Sequence, residues 1–182
     1  MIAITKTIKR KYTLFNFFNN LLKNSNNNLT IDYYDTGMIR THAGKISSDS
    51  NYYYIKEYYP TGVILSDMWV LDEYLHKEDG PALITYYENG AANTIHYYIN
   101  GKLHNVNGPA YIEFFKETGG LKKVIYYKNG VEMRESVIIN EDGSRTVKKA
   151  PSYIEYSPTG PFTYEYVLVD GKRLPFNDTE RS

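Results

Sequence analysis

Short runs of alternating apolar and polar residues fill most of the chain after residue 28, and glycine-containing turns separate these runs. Residues 82–86, Ala-Leu-Ile-Thr-Tyr, lead into one such turn, Glu88-Asn89-Gly90. A period of two is typical of β-strands, because successive side chains of a strand point to opposite faces of its sheet. The pattern therefore predicts an all-β fold.

The same run occurs three times, so the chain contains internal repeats. Residues 79–90 align with residues 107–115 at an offset of 28, and a third copy occupies residues 150–160. Each copy places a small residue, an isoleucine and an aromatic residue at alternate positions. A unit of this length has no room for a crossover helix, so the strands are expected to form an antiparallel sheet.

Nine turns share one pattern, in which any residue is followed by Asn, Asp or Thr and then by Gly. They end at Gly37, Gly62, Gly90, Gly101, Gly119, Gly130, Gly143, Gly160 and Gly171. Because glycine adopts positive φ without steric cost, the pattern is typical of a three-residue hairpin loop. Two features depart from the array: Glu73 stands where the spacing calls for a turn glycine, and residues 131–150 insert an additional hairpin.

One face of the first strand in each unit is nearly constant among the copies, and we assign it to the core. In the first copy this face carries Ala82, Ile84 and Tyr86. The opposite face varies among copies but keeps aromatic residues, as expected of a surface that contacts a partner. The residues predicted to contact a partner are Tyr87, Tyr111, Glu113, Phe115, Tyr153 and Glu155.

Two motifs resemble divergent MORN repeats of the kind found in large DNA viruses of amoebae. They are Tyr-Tyr-x-Asn-Gly, at residues 86–90 and 97–101, and Leu-His-x-x-Asp-Gly-Pro-Ala, at residues 75–82. The resemblance covers residues 29–174 and implies an elongated, twisted antiparallel sheet of tandem hairpins. It also implies a viral protein that acts in scaffolding or protein–protein interaction without catalysis. Residues 175–182 form a polar C-terminal tail.

The composition narrows the function classes. The 182 residues include no cysteine, which excludes disulfides and thiolate metal sites and fits a reducing compartment. We therefore expect a cytoplasmic protein, in the host cytoplasm or the virion if it is viral. A formal net charge of zero argues against binding duplex nucleic acid over a broad basic face. No apolar run is long enough to suggest a transmembrane helix.

Candidate catalytic or metal-binding residues are few. His76 and His104 hold equivalent repeat positions, which with Asp79 would suit a shared metal site. Met133 and Leu174 replace them in later units, so we favour histidines that hydrogen-bond their own turns. No phosphate-binding glycine loop, nucleophile elbow or zinc-protease motif occurs. The sequence therefore predicts no enzyme activity, no metal and no cofactor.

Residues 1–28 carry five basic residues and no acidic one, so the rest of the chain has a net charge of −5. Apolar residues between Leu14 and Leu22 recur at helical spacing, whereas Ile2, Ile4 and Ile8 alternate as in a strand. We favour a cap, a short helix or strand, that covers the open end of the repeat array. The alternative is a docking segment for an anionic surface. Its basic residues would be Lys6, Lys9, Arg10 and Lys11.

The combined pattern predicts a non-enzymatic module that binds another protein through a broad aromatic and acidic face. The alternative is a membrane-surface or nucleic-acid adaptor that docks through residues 1–28. Tyrosine-rich faces also suit stacking on bases, but a groove for single strands requires a basic lining, and residues 29–182 are net acidic. Cross-strand aromatic pairs are therefore the favoured role of these tyrosines.

Overall fold

The structure, a computed structural model, describes residues 29–46, 51–139, 144–160, 162–169 and 171–176. These residues form strands and no helix. The strands are β1 (Leu29–Tyr33), β2 (Ile39–Lys45), β3 (Tyr52–Tyr58), β4 (Ile64–Leu71), β5 (Tyr74–Leu75), β6 (Leu83–Tyr86), β7 (Ala92–His96), β8 (Tyr98–Ile99), β9 (Lys102–Leu103), β10 (Tyr111–Phe114), β11 (Leu121–Ile125), β12 (Tyr127–Lys128), β13 (Val131–Glu132), β14 (Glu135–Ile139), β15 (Arg145–Lys149), β16 (Tyr153–Tyr156), β17 (Phe162–Val169) and β18 (Lys172–Pro175).

Twelve strands form one open antiparallel sheet in which neighbours follow the order of the chain. Three further pairs, β8–β9, β12–β13 and β14–β15, form separate short hairpins. The predicted all-β fold, an elongated antiparallel sheet of tandem hairpins, is confirmed. β14 and β15 form the additional hairpin expected within residues 131–150. In the described part of the chain, no helix is long and apolar enough to cross a membrane.

The predicted boundaries lie partly outside the described residues. The cap expected for residues 1–28 and the last six residues of the tail fall there. At the other end of the array, β18 ends at Pro175, and the Phe176 amide donates a hydrogen bond to the Glu165 carbonyl. The sheet therefore extends to residue 176, two residues into the predicted tail.

Five hairpins of equivalent strands build the sheet: β1–β2, β3–β4, β6–β7, β10–β11 and β16–β17. The first strand of each hairpin pairs with the second strand of the preceding one. In all five hairpins the register shifts just before the last residue of the first strand, for example between Thr85 and Tyr86. Such a β-bulge adds one residue to one strand and increases its twist.

Most of the described turns are of two kinds, and the β10–β11 hairpin differs from both in having a four-residue loop at 116–119. Three-residue loops at 35–37, 60–62 and 88–90 each end in a glycine with positive φ. Two-residue loops at 72–73, 100–101 and 129–130 have positive φ at both residues, which is the type I′ turn of tight hairpins. The prediction of three-residue loops is therefore wrong for Gly101 and Gly130. It is also wrong for Gly119 and for Gly171, since Val169 pairs directly with Lys172 across the last turn. Glu73 takes the position of the missing glycine with a φ of 69°.

The front face of the sheet, defined as the face that carries Ile55, Met68 and Leu83, holds a compact core in its first half. Cross-strand pairs place Ala43, Ile55, Met68 and Leu83 in one row perpendicular to the strands. Ala43 is fully buried, Ile55 is 1% exposed and Met68 is 4% exposed. Val70 completes this cluster.

The opposite, back face carries the repeated small and isoleucine positions. Ala82 and Ala110 are fully buried there and Ile154 is nearly so, whereas Ile84 and Ile112 are only half-buried. On the front face, Leu83 packs against the core and Thr85 is buried. The predicted division into one core face and one exposed face is therefore wrong. Repetition marks positions with the same local geometry, but burial depends on the neighbouring units that lie beside each position.

Candidate interaction surface

The row of core residues continues across the second half of the front face as aromatic residues. Successive cross-strand pairs extend it from Leu83 through His96, Tyr111, Ile125 and Tyr153 to Tyr166. The rings of His96 and Tyr111 meet edge to face with centroids 4.8 Å apart, and those of Tyr153 and Tyr166 meet at 5.6 Å. We call His96, Tyr111, Tyr153 and Tyr166 the aromatic row. All four are half-buried.

A row of polar residues lies beside the aromatic row on the same face. Thr94, Glu113, Lys123, Glu155 and Tyr164 are paired in succession across β7, β10, β11, β16 and β17. We call these five residues the polar row. Four of the residues predicted to contact a partner, Tyr111, Glu113, Tyr153 and Glu155, therefore lie together in two adjacent rows.

Glu113 is the centre of a charged network in the polar row. Its carboxylate accepts hydrogen bonds from Lys122 Nζ at 2.6 Å and from the Tyr111 hydroxyl at 3.0 Å, and Lys123 Nζ lies 2.9 Å away. The β-bulge of β11 makes this possible, because Lys122 has no partner in register and turns towards the same carboxylate as Lys123. In the first unit, Arg40 occupies the equivalent bulge and bonds Asp32 with its Nε at 2.7 Å.

The network changes the acidity of its members. Burial would raise the pKa of the Glu113 carboxyl, but hydrogen bonds from Lys122 and Lys123, the charge of Lys123 and the Tyr111 hydroxyl together lower it to about 2. Burial and the Glu113 carboxylate raise the pKa of Tyr111. Burial and a 2.5 Å hydrogen bond to Glu155 likewise raise the pKa of Tyr153. At neutral pH both tyrosines therefore remain protonated hydrogen-bond donors.

We expect the protein to lose stability in acid through Glu113. Because its pKa falls from 4.5 to about 2 on folding, its contribution is complete above about pH 4.5 and is lost as the pH falls towards 2. Melting temperatures measured across this window should decline more steeply for the wild type than for Glu113→Gln, which has no carboxyl to protonate. Equal declines in both proteins would contradict this assignment.

Tyr87 and Phe115 lie at the ends of their strands, where tyrosines link neighbouring units. The hydroxyl of Tyr34 donates to the Tyr58 carbonyl at 2.6 Å, that of Tyr59 to the Tyr86 carbonyl at 2.9 Å, and that of Tyr87 to the Phe114 carbonyl at 2.8 Å. Phe115 holds the same position in the fourth hairpin. Tyr87 therefore has a structural role that recurs among the copies, which its assignment to a variable, partner-facing surface did not predict. Its partner contact stays a prediction.

The two repeat histidines also link units. Asn100 N donates to His76 Nδ1 at 3.2 Å, and Asn129 N donates to His104 Nδ1 at 3.1 Å. Each histidine therefore supports the turn of the following unit, and the prediction that it bonds its own turn is wrong. Among the described residues, no three His, Asp or Glu side chains are grouped so that they could hold a metal ion.

An ion pair that was not predicted from the sequence lies at the end of the sheet. Arg173 Nη2 lies 2.7 Å from Glu132 Oε2, and the Ser152 hydroxyl donates to Glu132 Oε1 at 3.1 Å. The Arg173 guanidinium also lies 4.1 Å over the ring of Tyr153. Counted from their turn glycines, Glu132 and Arg173 occupy the position that Leu103 holds in the third unit. An alignment of the repeats that includes the second residue after each turn glycine shows the signal. At this position leucine is replaced by a glutamate in one unit and by an arginine in another.

These contacts form a surface of aromatic and charged side chains whose polar groups bond one another. The alternative basic site, Lys6, Lys9, Arg10 and Lys11, lies outside the described residues. No family model matches the chain, and no curated protein or solved structure is significantly similar to it.

Proposed function

We propose that this protein is a non-enzymatic interaction module that binds another protein through the aromatic and polar rows. The observation that carries the proposal is a set of half-exposed aromatic side chains that their neighbours hold in fixed positions. Tyr153 lies between Tyr166 and the guanidinium of Arg173, and Tyr164 is 55% exposed beside them. Tyrosine and arginine contribute much of the binding energy at many protein interfaces. Tyrosine in particular buries a large area while only two side-chain torsions have to be fixed.

The acidity of Glu113 supports binding over catalysis at this surface. A general base is most effective when its pKa lies near the operating pH. The pKa of Glu113 is about 2, because two lysines and a tyrosine hydroxyl stabilise its carboxylate. Such a carboxylate is a weak base, and its two lysine partners hold it in place. It suits an interface that recognises charge.

The proposal includes a scaffold of the MORN-like type, of viral origin. Five equivalent hairpins with bulges at the same position support a tandem-repeat architecture. The tyrosine hydrogen bonds from Tyr34, Tyr59 and Tyr87 support it further, because each joins one unit to the next. The family and the origin rest on the sequence motifs alone.

The test compares two exposed tyrosines. We expect Tyr164→Ser to abolish capture of proteins from a lysate of the native source while leaving the melting temperature nearly unchanged. Tyr74 is the matched control, since it is 59% exposed on the β5 turn, away from both rows. Tyr74→Ser should capture the same proteins as the wild type. Tyr87→Phe should also retain capture, but should lose about 1 kcal/mol of stability with its hydrogen bond to Phe114.

The second candidate function is an adaptor that docks on a membrane or nucleic acid through residues 1–28. The five basic residues of this segment favour it. Binding of this kind weakens steeply as salt rises, because the interaction is largely electrostatic. Capture that resists salt and depends on Tyr164 supports the protein interface. Capture that is lost in salt, or on changing Lys6, Lys9, Arg10 and Lys11 to alanine, supports the adaptor instead.

A further inference from the structure

The first strand of the sheet exposes an apolar row on the back face. Leu29, Ile31 and Tyr33 alternate along β1 and are 48%, 38% and 52% exposed. Ile39 of β2, which lies opposite Tyr33, extends this apolar row and is 37% exposed. Thr30 and Asp32 lie between these residues on the front face, where Arg40 neutralises the Asp32 carboxylate.

The outer edge of β1 also carries hydrogen-bonding groups. Among the described residues, β1 pairs only with β2. Backbone groups alternate along an antiparallel strand, and the Tyr34 amide bonds Met38 across the hairpin. Leu29, Ile31 and Tyr33 therefore turn their N–H and C=O groups towards the outer edge. The residues equivalent to Tyr33 in the next two units are Tyr58 and Tyr86. Their carbonyls accept hydrogen bonds from the hydroxyls of Tyr34 and Tyr59, respectively, each in the preceding unit.

The other end of the sheet cannot supply a matching edge. β18 pairs with β17 from Tyr166 to Val169, and its last residue is Pro175, which has no amide hydrogen to donate. In the fifth unit, Ser157 replaces the tyrosine whose hydroxyl would reach the next unit. Head-to-tail pairing of two sheets would therefore lack the contacts that join units within one chain.

A second β1 strand does match. In an antiparallel pair centred on Ile31, Leu29 lies opposite Tyr33 of the second copy, and Thr30 lies opposite Asp32. No like charges meet, the hydroxyl of Thr30 can donate to the Asp32 carboxylate, and the two apolar rows join on one face. Three pairs of outward-facing residues would form about six backbone hydrogen bonds. An interface that contacts itself across a two-fold axis closes after two copies.

We propose that two copies of this chain associate by antiparallel pairing of their β1 strands about Ile31, extending the sheet across a two-fold axis. The interface is separate from the aromatic and polar rows, so the dimer would present those rows twice. This property is independent of the proposed function of the rows.

The first experiment measures the mass of the full chain by light scattering over a dilution series. We expect twice the 21.1 kDa mass of one chain at high concentration and dissociation on dilution. Ile31→Lys should give the monomer, because two like charges would meet on the axis. Ile46→Lys is the matched control, since Ile46 is 44% exposed on the same hairpin but follows the end of β2. It should remain dimeric.

The second experiment tests the register by disulfide formation. The chain has no cysteine, so a single introduced thiol can form only an intermolecular bond. Directly opposed, hydrogen-bonded residues of an antiparallel pair have Cα atoms about 5.5 Å apart, which suits a disulfide. Ile31→Cys should therefore crosslink quantitatively under mild oxidation, whereas Ile46→Cys should not.

Each outcome decides the proposal. A wild-type chain that stays monomeric at all concentrations overturns it, as would happen if residues 1–28 occupied the same edge. A dimer that survives Ile31→Lys, or that crosslinks equally through both cysteine variants, overturns it as well. If Ile31→Lys proves unfolded in thermal melts, crosslinking of the Ile31→Cys variant, compared with that of Ile46→Cys, decides the question.

Discussion

Replacing Arg173 with leucine is expected to lower the free energy of unfolding by about 3 kcal/mol, which is at the low end of the range for breaking a buried ion pair. The change leaves the Glu132 carboxylate, whose side chain is 7% exposed, without its only charged partner among the described residues. The Ser152 hydroxyl still donates to it but cannot balance the charge. We place the loss at the low end because the Arg173 side chain is 40% exposed.

Glu132→Leu, and the double variant in which both Glu132 and Arg173 are replaced by leucine, are the controls for Arg173→Leu. Glu132→Leu leaves an arginine that can reach water, so we expect a smaller loss than for Arg173→Leu. The double variant restores leucine at the position that Leu75 and Leu103 hold in earlier units, and should recover most of the stability. Chemical denaturation of the four proteins gives the coupling free energy between the two sites. A double variant no more stable than Arg173→Leu would show that the ion pair is not the cause.

Ile55→Ala is expected to destabilise the fold by roughly 2–5 kcal/mol, the range observed for truncating buried aliphatic residues. Ile55 is 1% exposed and packs with Ala43, Met68 and Val70, so truncation leaves a cavity in a closely packed cluster. Denaturant unfolding at neutral pH measures the loss directly.

Two isoleucines at matched repeat positions calibrate this effect. Ile154 is 6% exposed, whereas Ile84, at the equivalent position of an earlier unit, is half-buried. Ile154→Ala should therefore lower the free energy of unfolding nearly as much as Ile55→Ala. Ile84→Ala should lower it clearly less, because folding removes less of the apolar area of Ile84 from water. An equal loss at Ile84 and Ile154 would mean that repeat position, rather than burial, governs stability.

The strands and most turns could be predicted from sequence because their causes are local. Alternation of apolar and polar residues defines a strand within a few residues, and a glycine after Asn or Thr marks a turn. Glu73 is an exception, because it adopts a positive φ in the turn between β4 and β5 although no glycine marks that turn in the sequence. The shorter loops at Gly101 and Gly130 were missed because the same dipeptide, Asn-Gly, serves both turn types.

The candidate surface was predicted in part. Tyr111, Glu113, Tyr153 and Glu155 belong to one face because alternation assigns faces within each strand, and the unit length brings the strands side by side. Lys122 could not be assigned in this way. It joins Lys123 at Glu113 only because β11 contains a bulge, and bulges shift the alternation on which the sequence argument depends.

The class of fold, the repeated units and the positions of their turns follow from residues a few positions apart in the sequence. The contacts that join the units could be identified only in the assembled sheet. Tyr87 reaches a carbonyl 27 residues away, His76 supports a turn 24 residues away, and Arg173 neutralises a carboxylate 41 residues away. Such contacts depend on strand register and twist, which accumulate over the whole sheet. For the same reason burial differs between Ile84 and Ile154, although both occupy the isoleucine position of the repeat.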